Sequence, residues 1–175
     1  GDILILSGSI PSCLDEKLYE DIMKRVEHKN IKVVVDATKN LLLNVLKYKP
    51  FLIKPNHHEL GDLFNVKLNG NDEIIEYAKK LKEMGARNVL ISMAGDGAIL
   101  IKENGEVITS NVPKGKVKNS VGAGDSMVAG FIAGYLEAND IEKGFKLGVA
   151  TGSASAFSEG LATKDYVYEL LNQIN

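Results

Sequence analysis

The chain has 175 residues, 45% of them hydrophobic and 25% charged, with a formal net charge of -2; this is a globular balance at single-domain length. Near-neutral charge and the lack of a long basic run give no electrostatic footing for nucleic acid or a membrane surface, so the expected partner is a small soluble ligand. A single cysteine, Cys13, rules out an internal disulfide framework and a cysteine-rich metal site, and no apolar stretch or signal-type start suggests a membrane or export route, so the expectation is a cytoplasmic protein.

The chain opens on Gly1 and enters an apolar run, Ile3 to Leu6, almost at once, as a fragment of a longer protein would. The run stops at Ser7-Gly8-Ser9-Ile10-Pro11, and a helix of mixed charge is predicted from about Asp15 to His28. Ile31 to Val35 is nearly continuous in apolar residues, the pattern of a parallel strand covered on both faces, with Asp36 at its carboxyl end. A short helix from about Asn40 to Leu46 leads to a strand at Phe51-Leu52-Ile53, which Pro55 prevents from continuing. Asn56 is a good cap for the next helix. A further helix starts at Asn71-Asp72-Glu73 with Ile74, Ile75, Ala78, Leu81 and Met84 at core-facing spacings and Gly85 past its end.

Val89 to Ile91 is the following strand, and Ala98 to Ile101 and Glu106 to Thr109 flank Asn104-Gly105, a strong hairpin signal. Helices then occupy about Ala123 to Glu137, Ile141 to Phe157 and Thr163 to Asn172. Short branched-apolar runs alternating with helical periods are the signature of βαβ units and a mostly parallel sheet, here with an antiparallel hairpin at its edge.

Three loops carry chemistry. Gly122-Ala123-Gly124 stands at a helix start, where backbone N–H groups and the positive end of the helix face an anion and small side chains permit close approach. Asp125 follows in the first turn, as a reacting acid or as a capping acid. Gly130 and Gly134 within that helix read as close-packing positions, since glycine there costs about 1 kcal/mol against alanine. Ser92-Met93-Ala94-Gly95-Asp96-Gly97 follows a strand and suits either a backbone cradle for phosphate or ribose or an ordinary turn. Lys54, Asn56 and Glu59 place a cation, an amide and a carboxylate at a strand end and helix start, suited to nucleotide phosphate and, through water, Mg²⁺, or to a capped surface helix. His57 and His58, adjacent on that helix, are expected to point apart and to hold no metal. Walker, dinucleotide-fold and serine-hydrolase patterns are all missing.

In this order, Ser7-Gly-Ser-Ile-Pro11, Lys54-Pro-Asn-x-x-Glu59, Ser92-x-x-Gly-Asp-Gly97 and Asn119-Ser-Val-Gly-Ala-Gly-Asp125 resemble the carboxyl-terminal part of a ribokinase-like sugar kinase of the PfkB family. The resemblance spans essentially the whole chain. It implies a three-layer α/β/α Rossmann-like fold, with residues 1–175 as the nucleotide-binding and catalytic portion of the kinase domain. It implies ATP and Mg²⁺ as cofactors and a sugar phosphate as the small-molecule partner. Asn119-Ser120 with the Lys54 motif is similar to the branch acting on ketohexose phosphates, fructose 1-phosphate first, then tagatose 6-phosphate and fructose 6-phosphate.

Carried over by position, the resemblance makes Asp125 the catalytic base and Gly122, Ala123 and Gly124 the anion hole for the transferring phosphoryl group. Lys54 meets nucleotide phosphates, Asn56 and Glu59 organise Mg²⁺ through water, and Ser92, Met93, Ala94, Gly95, Asp96 and Gly97 hold the nucleotide. Ser120 lies beside the phosphates. Ser155, Ser158 and Gly160 match a late segment that edges the adenine pocket or, in some relatives, a monovalent-cation loop. Full members carry upstream sugar-binding segments and a β-strand lid that also forms a homodimer, and neither is found here. The fragment alone is therefore expected to be inactive. The other readings are a kinase of adenosine-like or vitamin substrates on this fold and a non-catalytic nucleotide-binding module.

Overall fold

The computed structural model describes residues 1–11 and 13–174. Six strands form one mixed sheet in the order β1 (Asp2–Ser7), β2 (Ile31–Asp36), β3 (Leu52–Ile53), β4 (Asn88–Ser92), β5 (Ala98–Ile101) and β6 (Val107–Ser110). Seven helices are found among the described residues: α1 (Leu18–Val26), α2 (Lys39–Leu43), α3 (His57–Phe64), α4 (Asn71–Glu83), α5 (Ala123–Ala138), α6 (Ile141–Ala156) and α7 (Lys164–Leu171). The chain divides into two compact units, the residues up to Ile91 with Leu100–Ile108, and Ser92–Ile99 with the chain from Thr109 onward.

In the first unit β1, β2 and β3 run parallel, with Asp2 opposite Ile31, Ser7 opposite Asp36, Val35 opposite Ile53, and Ile53 opposite Val89 of the next strand. This register brings the carboxyl ends of β1 and β2 level. Val33 to Val35, Leu52, Ile53 and Val89 to Ile91 are buried, as continuous branched-apolar runs require of strands covered on both faces. β1, at the sheet's end, is different: Ile3 and Leu4 are half-buried and Ile5 is exposed.

Several helices depart from their predicted bounds. α1 starts at Leu18 rather than near Asp15, because Asp15 makes a turn of its own: its carboxylate accepts from Lys17 N at 2.9 Å and its carbonyl from Leu18 N at 3.0 Å. The helix expected over 40–46 stops at Leu43 and gives way to a 3-10 turn at Leu46–Tyr48. On α4, Ile74, Ala78 and Leu81 are buried, whereas Ile75 is half-buried and Met84, expected in the core, is 44% exposed. Met84 is the residue that caps the helix, and the chain turns at Gly85 (φ 133°), where a Cβ would collide with Leu46 O.

The second unit is built on α5 packed against α6. Glycines line the contact from both sides: a Cβ at Gly134 would fall 2.8 Å from Lys143 O, at Gly144 2.8 Å from Phe131 O, at Gly148 2.9 Å from Met127 O and at Gly152 3.0 Å from Ala123 O. The close-packing role predicted for Gly130 and Gly134 is thus observed, and α6 supplies the matching glycines. Asp140 caps α6 by accepting from Glu142 N and Lys143 N, and Thr163 caps α7 by accepting from Tyr166 N.

Candidate active site

In the first unit the predicted residues gather at the carboxyl ends of parallel strands, where open α/β sheets hold their ligands. Gly8 N donates to Asp36 O at 3.0 Å, which ties the Ser7–Pro11 loop to the end of β2. The Tyr19 hydroxyl, from α1, lies 2.8 Å from Ser7 O and 3.1 Å from Gly8 O and donates to one at a time. Burial, and then the negative charge of Asp36, raise the Tyr19 pKa above its ordinary value, so the phenol keeps its proton and remains a donor. Lys54 follows β3 directly and is buried, with Nζ 3.2 Å from Asp36 Oδ1. A buried ammonium needs such a partner.

Asn56 and Glu59 form a reciprocal capping box at the start of α3. Asn56 Oδ1 accepts from Glu59 N at 2.9 Å and Glu59 Oε2 accepts from Asn56 N at 2.8 Å. The box fixes both oxygens at the helix start, and a carboxylate that accepts one such bond on Oε2 keeps further lone pairs for another partner. One carboxylate and one amide are too few to encage a divalent ion, but they fit one held through its water shell. The His57 and His58 rings do not point apart as expected; their centroids lie 3.9 Å from each other.

In the second unit β4 ends at Ser92 and the chain makes a 3-10 turn at Ala94–Asp96. Met93 N donates to Gly97 O at 2.9 Å and Asp96 N to Met93 O at 3.0 Å, closing the loop on itself. The Met93 side chain is buried, while Ala94, Gly95 and Asp96 are exposed. Gly97 (φ 94°) sits against Ser110 O, where no Cβ fits.

The approach to α5 is equally constrained. Asn119 Oδ1 accepts from Val121 N at 3.0 Å, Ala123 N donates to Ser120 O at 3.2 Å, and Gly122 adopts the left-handed conformation (φ 78°) as the N-cap residue. Only glycine takes that geometry without strain. No side chain caps the helix, so the donors of its first turn are presented by the backbone alone. Asp125 is exposed in that turn, and Gly122, Ala123 and Gly124 are half-buried. Such an arrangement can hold a phosphate on N–H groups and take up a proton beside it.

Ser120 is exposed on the approach, whereas Ser155 is buried and donates to Ser126 Oγ at 2.8 Å. Ser158 Oγ donates to Ala154 O at 2.8 Å, and Ser158 lines a cleft of about 570 Å³ with Lys116, Lys118, Phe157, Glu159 and Tyr166. Sequence reasoning missed the cleft's two lysines and Tyr166, and also Tyr19. An aromatic at a core-facing helix position and lysines in a loop carry no local signal of what they meet.

A glycine-led helix start carrying an exposed acid is suited to an anion such as phosphate. The profile of the pfkB family carbohydrate kinase matches residues 1–166, and the chain belongs to that family. It is 51% identical over 174 residues to a 1-phosphofructokinase of Bacillus subtilis, covering 99% of this chain and 57% of the relative. It is 33% identical over 175 residues to a D-tagatose-1-phosphate kinase of Bacillus licheniformis, again covering 57% of the relative. Among solved structures, a phosphofructokinase-type chain from Staphylococcus aureus superposes with a TM-score of 0.93 at 43% identity, over 99% of this chain and 56% of the other. The chain thus spans a little over half the length of these relatives.

Proposed function

We propose that the protein to which this chain belongs transfers the γ-phosphoryl group of ATP to fructose 1-phosphate, giving fructose 1,6-bisphosphate and ADP. The observation that carries the reading is the start of α5, where left-handed Gly122 opens a helix with no side-chain cap and Asp125 is exposed in its first turn. In the proposed step the sugar hydroxyl oxygen forms a bond to the γ-phosphorus, its proton goes to the Asp125 carboxylate, and the bond to the β-phosphate oxygen breaks with its electron pair leaving on ADP. The backbone donors of Gly122 and Gly124, with Ala123 N shared between the phosphoryl group and Ser120 O, hold the equatorial oxygens, since phosphoryl transfer depends on positioning and charge stabilisation more than on covalent help. Lys54, held by Asp36, meets nucleotide phosphate. Asn56 and Glu59 hold Mg²⁺ through water, and that ion supplies neutralisation of phosphate charge. Residues Ser92 to Gly97, Ser120 and Ser158 attend the nucleotide, whereas Ser155, buried and bonded to Ser126, is given no contact of its own with it; the segment from Ser155 to Gly160 is the place of a monovalent cation.

The sugar phosphate is chosen on the relatives named above, both of which are kinases of a ketohexose 1-phosphate. Other ketohexose phosphates, including tagatose 6-phosphate and fructose 6-phosphate, are the alternatives. The full-length protein is read as a cytoplasmic homodimer, and the 175-residue chain alone as inactive.

The test is a coupled ADP-release assay on the full-length protein with Mg-ATP and each sugar phosphate in turn. Fructose 1-phosphate is expected to give the highest kcat/KM, and Asp125→Asn to lower kcat by about 10²- to 10⁴-fold with nucleotide binding retained. An undiminished rate in Asp125→Asn would remove that residue from the chemistry. Nucleotide binding without turnover of any sugar phosphate would leave a binding module instead, and full activity of the 175-residue chain would overturn its reading as inactive.

A further inference from the structure

Asp125 sits one residue before a buried hydroxyl pair. Ser126 Oγ, in the first full turn of α5, and Ser155 Oγ, in the last turn of α6, are 2.8 Å apart, and both residues are buried. The same turn of α6 touches the start of α5 in two further ways. The Ala156 carbonyl accepts from both Lys118 N, at 2.8 Å, and Asn119 N, at 3.1 Å, which anchors the approach to α5. Gly152 faces Ala123 O so closely that an added Cβ would fall 3.0 Å from it.

These contacts differ in what they constrain. Glycine packing sets how near the two helices come, but dispersion and apolar burial have no direction, and a helix resting on a glycine stripe is free to turn a few degrees about its axis. The Ala156 carbonyl holds the approach loop rather than the helix. A hydroxyl-to-hydroxyl bond has a preferred distance and angle, and it lies at the end of α5 where rotation would swing the carboxylate of Asp125. The bland alternative is that two serines satisfy each other in the core. Against it, Thr151, which also stands at this interface, satisfies its hydroxyl within its own helix on Leu147 O at 2.7 Å, whereas Ser155 reaches across to Ser126.

We propose that Ser126 and Ser155 are a positioning pair that fixes the rotation of the first turn of α5, and with it the direction of the Asp125 carboxylate. The proposal rests on the phosphoryl-transfer reading of Asp125. Ser126 and Ser155 act through Asp125; neither is assigned a step of its own.

The experiment compares full-length wild type with Ser126→Ala, Ser155→Ala and Ser126→Thr, which keeps a hydroxyl. Both alanine variants are expected to lose about 10- to 100-fold in kcat, as small misplacements of a reacting group do, with KM for both substrates within about twofold. Ser126→Thr is expected to regain most of the loss. In parallel, amide hydrogen exchange is read by mass spectrometry, and faster exchange confined to residues 119–126 is expected in the alanine variants. Unchanged kcat in both alanine variants overturns the proposal, as does a kcat loss that the threonine variant fails to relieve. Loss of protection throughout both alanine variants assigns the pair a purely structural role and also overturns it. Should wild type turn over no sugar phosphate, the kinase reading fails by itself; exchange then decides, with local loosening at 119–126 supporting the pair and unchanged exchange refuting it.

Discussion

Replacing Gly130 by alanine sets two known effects against each other. Alanine in a helix interior is favoured over glycine by about 1 kcal/mol, so on propensity alone the variant would be more stable. The structure argues the opposite. A Cβ at Gly130 would meet Thr151 Oγ1, lie 2.6 Å from Thr151 Cβ and 2.8 Å from Leu147 O. The last two atoms belong to or adjoin the α6 backbone, and Thr151 Oγ1 is itself tied to Leu147 O at 2.7 Å, so no flexible chain end can swing away. Overpacking of this kind costs about 1–3 kcal/mol, and the upper part of that range applies where backbone must move. The net expectation is a loss of about 2 kcal/mol, or about 4–8 °C in Tm for a chain of this size. Gly152→Ala is the internal comparison, because its nearest neighbours, Ala123 O and Met127 Cβ, would lie at 3.0 and 3.2 Å; there the two effects nearly cancel. Urea denaturation followed by circular dichroism measures both. Adding Thr151→Ala to Gly130→Ala should recover only part of the loss, since it removes the hydroxyl but leaves the Cβ and the Leu147 carbonyl. The reasoning fails if Gly130→Ala is as stable as wild type, or if Gly152→Ala is the costlier of the two.

Three further outcomes are expected. Asn56→Ala removes the acceptor half of the capping box and should cost about 1 kcal/mol in urea titrations, while Asn56→Asp, which retains an oxygen acceptor, should cost little. Lys54→Met removes the ammonium facing the Asp36 carboxylate and should cost about 3 kcal/mol, and less when Asp36→Asn is already present; an equal cost in both backgrounds would show that the pair is uncoupled. Glu103 receives both Nε and Nη2 of Arg87 at 2.9 Å, and this hydrogen bonding lowers its pKa below the ordinary 4.5. The folded carboxylate is therefore the favoured form, and its contribution is complete above the ordinary value and lost as pH falls through the lowered one. Because both groups are largely exposed, the contribution is below about 1 kcal/mol. Glu103→Gln should then be slightly less stable than wild type at neutral pH, with the difference vanishing in acid; a difference that persists at pH 2 would point to packing.

Much of the fold was legible because the strongest signals were local. β5 runs over the predicted residues, the Asn104-Gly105 turn joins β5 to β6, and α5 and α6 differ from expectation by one residue at an end. The misreadings arose where one local preference overrode another. Asp15 looked like a helix start, yet its carboxylate closed a separate turn; Met84 had the right spacing for the core, but by then the chain was already turning at Gly85. At the site, the capping box of Asn56 and Glu59 is a four-residue pattern, and so visible in sequence. The Lys54 and Asp36 pair was not, although both residues stood at strand ends, because strand register alone decides which strand ends are level. Ser126 and Ser155 lie 29 positions apart and become neighbours only through helix packing that the glycine spacing hints at without specifying.

That glycine spacing and the serine pair divide one structural task. A backbone-presented anion site needs its helix start held to within a fraction of an ångström, yet it cannot spend its own first-turn N–H groups on caps, because those are the donors a phosphate would use. Gly122 accordingly carries no capping side chain, and the stability a cap would have contributed, about 1 kcal/mol, must come from elsewhere. Here it comes from the neighbouring helix: Gly152 admits α6 to Ala123, Ala156 O gathers the approach loop, and Ser155 bonds Ser126. All three lie within the last turn and a half of α6 and none of them uses a first-turn donor of α5. Ala123 N is already held by Ser120 O, so a helix start braced from the side in this way spends no further first-turn donor on the bracing, which is the condition the proposed phosphate site would have to meet.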